Sequence, residues 1–115
     1  MKGSPLPGEV WTVDFGIAAK HRRVLVVSAP AADCRLAISS VVQLTSQSDG
    51  TPYEVTLPRV RWLPEQSYVN AQSVQPVKWT EFEQKCGRFD EGVVESARKA
   101  IALWLGIQPR AAAIH

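Results

Sequence analysis

The sequence predicts a mainly β protein, a small barrel or sandwich of short strands finished by one C-terminal helix. Near the start of the chain, apolar and polar residues alternate with period two. Clusters of glycine, proline, serine and aspartate break the middle into short extended pieces, and from Asp90 onward the apolar residues recur at helical steps of three and four.

Gly8 opens the first strand, Glu9 to Phe15, in which Trp11, Val13 and Phe15 make one strongly apolar face against Val10, Thr12 and Asp14. Gly16 to His21 reads as a loop. Val24-Leu25-Val26-Val27 is a β-branched run suited to a strand buried on both faces, and Ala29-Pro30 ends it. A third strand runs from about Leu36 to Thr45 and hands over to Ser46-Gln47-Ser48-Asp49-Gly50-Thr51-Pro52, a cluster of turn formers. Alternation resumes from Tyr53 to Leu57, where Pro58 stops it, and a last extended stretch from Tyr68 to Val74 is closed by Pro76.

The helix starts from Asp90 as N-cap and sets Val93, Val94, Ala97, Ala100, Ile101, Trp104 and Leu105 on its buried face, with Gly106 at the left-handed C-cap position. Residues 1–107 read as one domain and 108–115 as a tail. A chain of 115 residues is long enough for one real core and too short for two.

Composition narrows the classes. With 45% hydrophobic and 21% charged residues and no low-complexity tract, the chain is expected to fold rather than remain disordered. No apolar run approaches the roughly 18 to 20 residues of a membrane span, and no signal peptide is read, so a cytoplasmic protein is expected. Cys34 and Cys86 lack metal-site spacing and are read as reduced structural thiols, a disulfide between them staying open. The net charge is only +2, but Lys20, Arg22, Arg23, Arg35, Arg59 and Arg61 outnumber Asp33, Asp49 and Glu54 across one segment. Such a segment tracks a phosphate backbone or is a solvated surface.

An ordered series of pieces then carries a resemblance over nearly the whole chain, from Gly8 to Ile107. They are Gly8-Glu9-Val10-Trp11-Thr12-Val13-Asp14-Phe15, Arg22-Arg23-Val24-Leu25-Val26-Val27-Ser28, Val41-Val42-Gln43-Leu44-Thr45-Ser46-Gln47, Tyr53-Glu54-Val55-Thr56-Leu57-Pro58 and Gly87-Arg88-Phe89-Asp90. In that order they resemble the MazF/PemK family of toxin–antitoxin endoribonucleases. The resemblance implies an SH3-like barrel, a homodimer, a cognate antitoxin, and metal-independent cleavage of single-stranded RNA without a cofactor. It places the family's catalytic arginine and threonine at Arg22 and Thr45. The proline that usually follows that arginine is Arg23 here, which leaves the register between Arg22 and Arg23 open. Where many relatives carry an arginine and an aspartate in the late strand, this chain reads Asn70-Ala71-Gln72, and Gln72 cannot accept a proton.

Cleavage without metal needs the 2'-hydroxyl deprotonated, the phosphate charge neutralised and the 5'-oxygen protonated. Arg22 suits the second task, since its planar fork binds phosphate oxygens bidentately, and Thr45 supplies a hydroxyl donor. His21, beside Arg22 at a loop end, is expected either to take up the 2'-hydroxyl proton or to be an exposed loop histidine. Arg23, Ser46, Gln47, Arg59, Arg61, Asn70 and Gln72 are the further candidates for RNA contact. Trp62 either stacks on a base or packs in the core or a dimer contact, while Trp11 and Trp104 read as core. Trp62, Leu63, Trp79 and Phe82 form an apolar surplus expected at an interface.

Two other readings accompany the enzyme. The ending Trp104-Leu105-Gly106-Ile107 resembles the terminus of CcdB-type toxins, which share the barrel and poison DNA gyrase. The missing late acid favours an inactive barrel serving as a binding module.

Overall fold

A computed structural model describes residues 4–16, 21–30 and 35–107. Cys34, Lys20, Asp33 and the tail at 108–115 lie outside the described residues. The elements run β1 (Glu9–Asp14), β2 (His21–Val26), β3 (Ile38–Thr45), β4 (Glu54–Thr56), β5 (Tyr68–Asn70), β6 (Gln75–Lys78), β7 (Phe82–Arg88) and α1 (Glu91–Leu105). Short 3-10 turns at Ala71–Ser73 and Trp79–Glu81 join the last three strands.

All strand pairs are antiparallel, in the order β4-β5-β3-β2-β1-β7, with β6 also on β3. β3 changes partner along its length. Its first half pairs with β6 and its last two residues, Leu44 and Thr45, pair with Val69 and Tyr68 of β5. The sheet thereby curls into the expected barrel-like form, open between β4 and β7.

Alternation along β1 and β2 builds a core on each side of the sheet. Val10, Leu25, Val27 and Val42 join Leu57, Leu63, Val69, Phe89 and Ala97 of the helix in one cluster. Val13, Val24, Val26 and Val41 join Val77 and Phe82 in the other, with Trp11 and Phe15 packed against it. The expected apolar face of β1 and the doubly buried β2 are thus both present. The helix is capped as expected: the Asp90 carboxylate accepts from the Val93 N–H, and Gly106 adopts φ 74° with its N–H directed to Ala102 and Leu103.

Several expectations are corrected. β2 begins at His21, not after it, because Asp14, Val13 and Thr12 of β1 pair with His21, Arg22 and Arg23. Pro76 does not close the region but sits within β6, opposite Ser40, on a strand whose one partner is β3 and where the missing N–H is tolerated. β7 was not expected: its burial is confined almost to Phe82, so it lacks an alternating pattern. Trp104 is 42% exposed rather than core, lying edge-on to Tyr53 because the last helical turn runs past the buried Val94, Ala97 and Ala100. Of the apolar surplus, Leu63 and Phe82 are buried in the core rather than at a surface, while Trp62 and Trp79 are half-buried against the two clusters. Cys86 is half-buried and is a free thiol among the described residues.

Candidate functional site

The β2–β3 ladder stops at Val24↔Gln43. Continued in the same register, it would set Arg23 against Leu44 and Arg22 against Thr45, but the pairing with β2 stops there, where β3 is joined on its other side to β5. The gap is a cleft of about 710 Å³. Its one wall is His21, Arg22 and Arg23; the other is Gln43, Leu44, Thr45, Ser46 and Asp49; Leu63, Pro64, Glu65, Ser67, Asn70 and Ser73 complete it, with Thr12 beside Arg23.

Six residues expected from the sequence therefore meet in one cleft: His21, Arg22, Arg23, Thr45, Ser46 and Asn70. Among the described residues neither arginine has a carboxylate within ion-pair distance, the ion pairs being His21 with Glu83 and Lys85 with Glu9. Unpaired exposed guanidinium groups are free to meet an anion. The Thr45 hydroxyl accepts from the Gln47 N–H at 3.1 Å, which fixes the oxygen and leaves its proton to donate.

His21 Nδ1 lies 2.7 Å from Glu83 Oε1. The hydrogen bond and charge of Glu83, with a smaller contribution from Asp14, raise its pKa above the usual histidine value. An imidazole so held favours its charged form. The side chain is 65% exposed at the start of β2, on a strand rather than in a loop.

The floor is a hydrogen-bonded frame. Ser73 Oγ donates to the Asn70 carbonyl at 2.7 Å and accepts from the Gln43 N–H at 2.9 Å, while Asn70 Oδ1 caps the 3-10 turn by accepting from the Gln72 N–H at 2.9 Å. Gln47, Arg59, Arg61, Trp62 and Gln72 do not line the cleft. Trp62 packs on Phe89, with ring centroids 5.1 Å apart, and over Gly87, so the core alternative describes it rather than base stacking. Among the described residues, no three His, Cys, Asp or Glu side chains group as metal ligands. No described helix is long and apolar enough to cross a membrane.

The cleft residues missed from the sequence are chiefly Thr12, Gln43, Asp49, Glu65, Ser67 and Ser73. Thr12 carried a signal, since it lies on the polar side of β1; the others are ordinary strand and loop residues whose convergence depends on the turn of β3. Gly106 is fully explained as a helix cap, which accounts for the terminus that resembled the gyrase poisons.

The family model described as PemK-like, MazF-like toxin of type II toxin–antitoxin system matches residues 6–105. Among solved structures, an endoribonuclease in complex with its cognate antitoxin from a mycobacterial species is 25% identical, with TM-score 0.79 over 92% of this chain and 99% of that one. A second mycobacterial endoribonuclease is 25% identical, with TM-score 0.77 over 93% and 97% of the two chains. A MazE–MazF structure from Deinococcus radiodurans, 23% identical, shares the fold with TM-score 0.75 over 91% and 98%. No curated protein sequence matches significantly.

Proposed function

This chain belongs to the PemK-like, MazF-like family of type II toxin–antitoxin toxins, and from its cleft we propose that it is a cytosolic endoribonuclease that cuts single-stranded RNA without a metal. Attack of a ribose 2'-hydroxyl on the adjacent phosphorus leaves a 2',3'-cyclic phosphate. The observation that carries this reading is that Arg22 and Arg23, neither of them ion-paired among the described residues, line one cleft with Thr45, whose hydroxyl oxygen is held by the Gln47 N–H.

Arg22, which lines the cleft with Thr45, neutralises charge developing on the nonbridging oxygens, and Thr45 donates a hydrogen bond to one of them. Arg23 and Thr12 hold a neighbouring part of the strand. His21, whose protonated form the Glu83 carboxylate favours, delivers a proton to the departing 5'-oxygen. Ser46 and Asn70 offer polar contacts within the cleft, Gln47 keeps the Thr45 oxygen in place, and Arg59, Arg61 and Gln72 are exposed and available to RNA running beyond it. A cognate antitoxin that covers the arginine wall, and a homodimer, belong to the same reading; the mycobacterial endoribonuclease structure with its antitoxin supports the first.

Purified protein should be incubated with RNA and, separately, with gyrase and relaxed DNA. The expected result is cut RNA and unimpaired supercoiling. Intact RNA with blocked supercoiling would transfer the chain to the gyrase poisons, and neither effect would mark an inactive binding barrel.

A further inference from the structure

The scheme above leaves the proton acceptor unassigned, and the cleft contains two carboxylates, Asp49 and Glu65. They differ in how they are held. Asp49 sits on the β3–β4 loop, which folds around the side chain of Glu54: the Ser48 hydroxyl and the Gly50 N–H donate to Glu54 Oε1 at 2.6 and 3.4 Å, and the Asp49 N–H donates to Oε2 at 2.7 Å. Glu54 itself stands on β4 opposite Asn70 of β5. The loop is thereby tied to the same strand pair that carries the floor of the cleft, through Asn70 and Ser73. The Ser48 hydroxyl above all, followed by the Asp49 N–H, holds the Glu54 carboxyl below the usual range, so the anchor stays charged near neutral pH. Around Glu65 the bonds are made by its neighbours, Gln66 Nε2 donating to the Leu57 carbonyl at 2.6 Å and Ser67 Oγ to the Glu65 carbonyl at 3.0 Å, and none of them spans the residue as the Glu54 carboxylate spans Ser48, Asp49 and Gly50.

We propose that Asp49 accepts the 2'-hydroxyl proton and that Glu54 is the positioning residue that sets Asp49 in the cleft. The inference rests on the endoribonuclease reading. In the step, the 2'-O–H bond breaks and its proton passes to the Asp49 carboxylate while the 2'-oxygen bonds to phosphorus. The P–O5' bond breaks, and the 5'-oxygen takes the proton of the His21 imidazolium. One proton is gained by Asp49 and one lost by His21, and exchange with water resets both. The charged groups sharing the cleft with Asp49 are His21, Arg22 and Arg23 from β2 and Glu65 from the loop after Arg61, with Glu54 behind it.

The test is a set of pH–rate profiles on an RNA oligonucleotide, paired with binding of its uncleavable 2'-deoxy analogue by fluorescence anisotropy and with melting curves. The wild type should give a bell. Asp49→Asn should lose about 10²- to 10⁴-fold in kcat together with the acid limb, while still binding the analogue. Glu65→Gln should keep the acid limb. Glu54→Ala should lower kcat by up to about 10²-fold with the acid limb intact, because Asp49 is displaced rather than removed. Glu54→Gln should recover part of that loss, its amide oxygen still accepting an N–H. An acid limb that survives in Asp49→Asn or disappears in Glu65→Gln overturns the assignment while leaving the endoribonuclease standing. Unchanged kcat in Glu54→Ala overturns the positioning role, and wild-type protein that cuts no RNA at any pH overturns both readings together.

Discussion

The imidazole Nδ1 of His21 on β2 and a carboxylate oxygen of Glu83 on β7 lie 2.7 Å apart, bridging two strands that both pair with β1. The contact raises the His21 pKa above 6.5. Its stabilising share is therefore complete below the unfolded value and lost as pH rises through the folded one, and it is small because His21 and Glu83 side chains are 65% and 38% exposed. Replacing Glu83 with glutamine should bring the His21 titration midpoint down in an NMR titration. The basic limb of the cleavage profile should move down with it, and an unmoved limb would remove His21 from the proton-donor role.

Arg22→Ala should lose about 10²- to 10³-fold in cleavage with little change in Tm, since an exposed charge leaves and no core contact does. Arg23→Ala, whose side belongs with Thr12, should chiefly weaken RNA binding. The opposite pattern, with kcat collapsing in the Arg23 variant alone, would show that Arg23 holds the catalytic position.

Cleavage should continue in EDTA, and an RNA with 2'-deoxyribose at the scissile position should resist cutting. End analysis should find 2',3'-cyclic phosphate on the upstream product. A 5'-phosphate product, or activity restored only by added divalent cation, would contradict the proposed attack by the ribose itself.

A methyl group at Gly87 would fall 2.3 Å from the Trp62 ring, closer than any relaxed contact. Gly87→Ala should therefore destabilise the fold by about 1–3 kcal/mol in denaturant melts. Combining it with Trp62→Leu should cost less than the sum of the two single changes, as expected of residues in contact. Strict additivity would mean that the two do not touch in solution.

A cognate antitoxin segment rich in acids should compete with RNA for Arg22 and Arg23, and sedimentation at micromolar concentration should show a dimer. Charge carries part of such recognition, so salt should slow association, and neutralising the acids should weaken binding. Binding that leaves cleavage untouched would place the antitoxin elsewhere.

Much of this architecture was legible in the residues because its signals are local. Val13, Trp11 and Phe15 share a face through the period of a strand, Val24 to Val27 announce a doubly buried segment by their branching, and Asp90 and Gly106 bracket the helix through capping chemistry. β7 and the first half of β2 carried no such signal. Glu83, Gln84 and Lys85, like His21, Arg22 and Arg23, are exposed, and they are strands because β1 supplies hydrogen-bond partners, not because of their own pattern. The open setting of Trp62 and the mistaken core setting of Trp104 have a similar reason: their surroundings come from Phe89, Gly87 and Tyr53, far away in sequence.

By itself, then, the chain determined where strands alternate, where turns break them and how the helix is capped, and its family resemblance singled out Arg22 and Thr45 as candidates. Only the tertiary structure decided that these residues share a space with Asp49 and Glu65, that His21 is held by Glu83, and that Gln47, Arg59, Arg61 and Gln72 stay outside the cleft. The physical reason is the division of β3 between neighbours. Its ladder with β2 ends at Gln43, while on its other side it passes from β6 to β5 at Leu44 and Thr45, and both pairings depend on strand register between distant segments, which no local periodicity records.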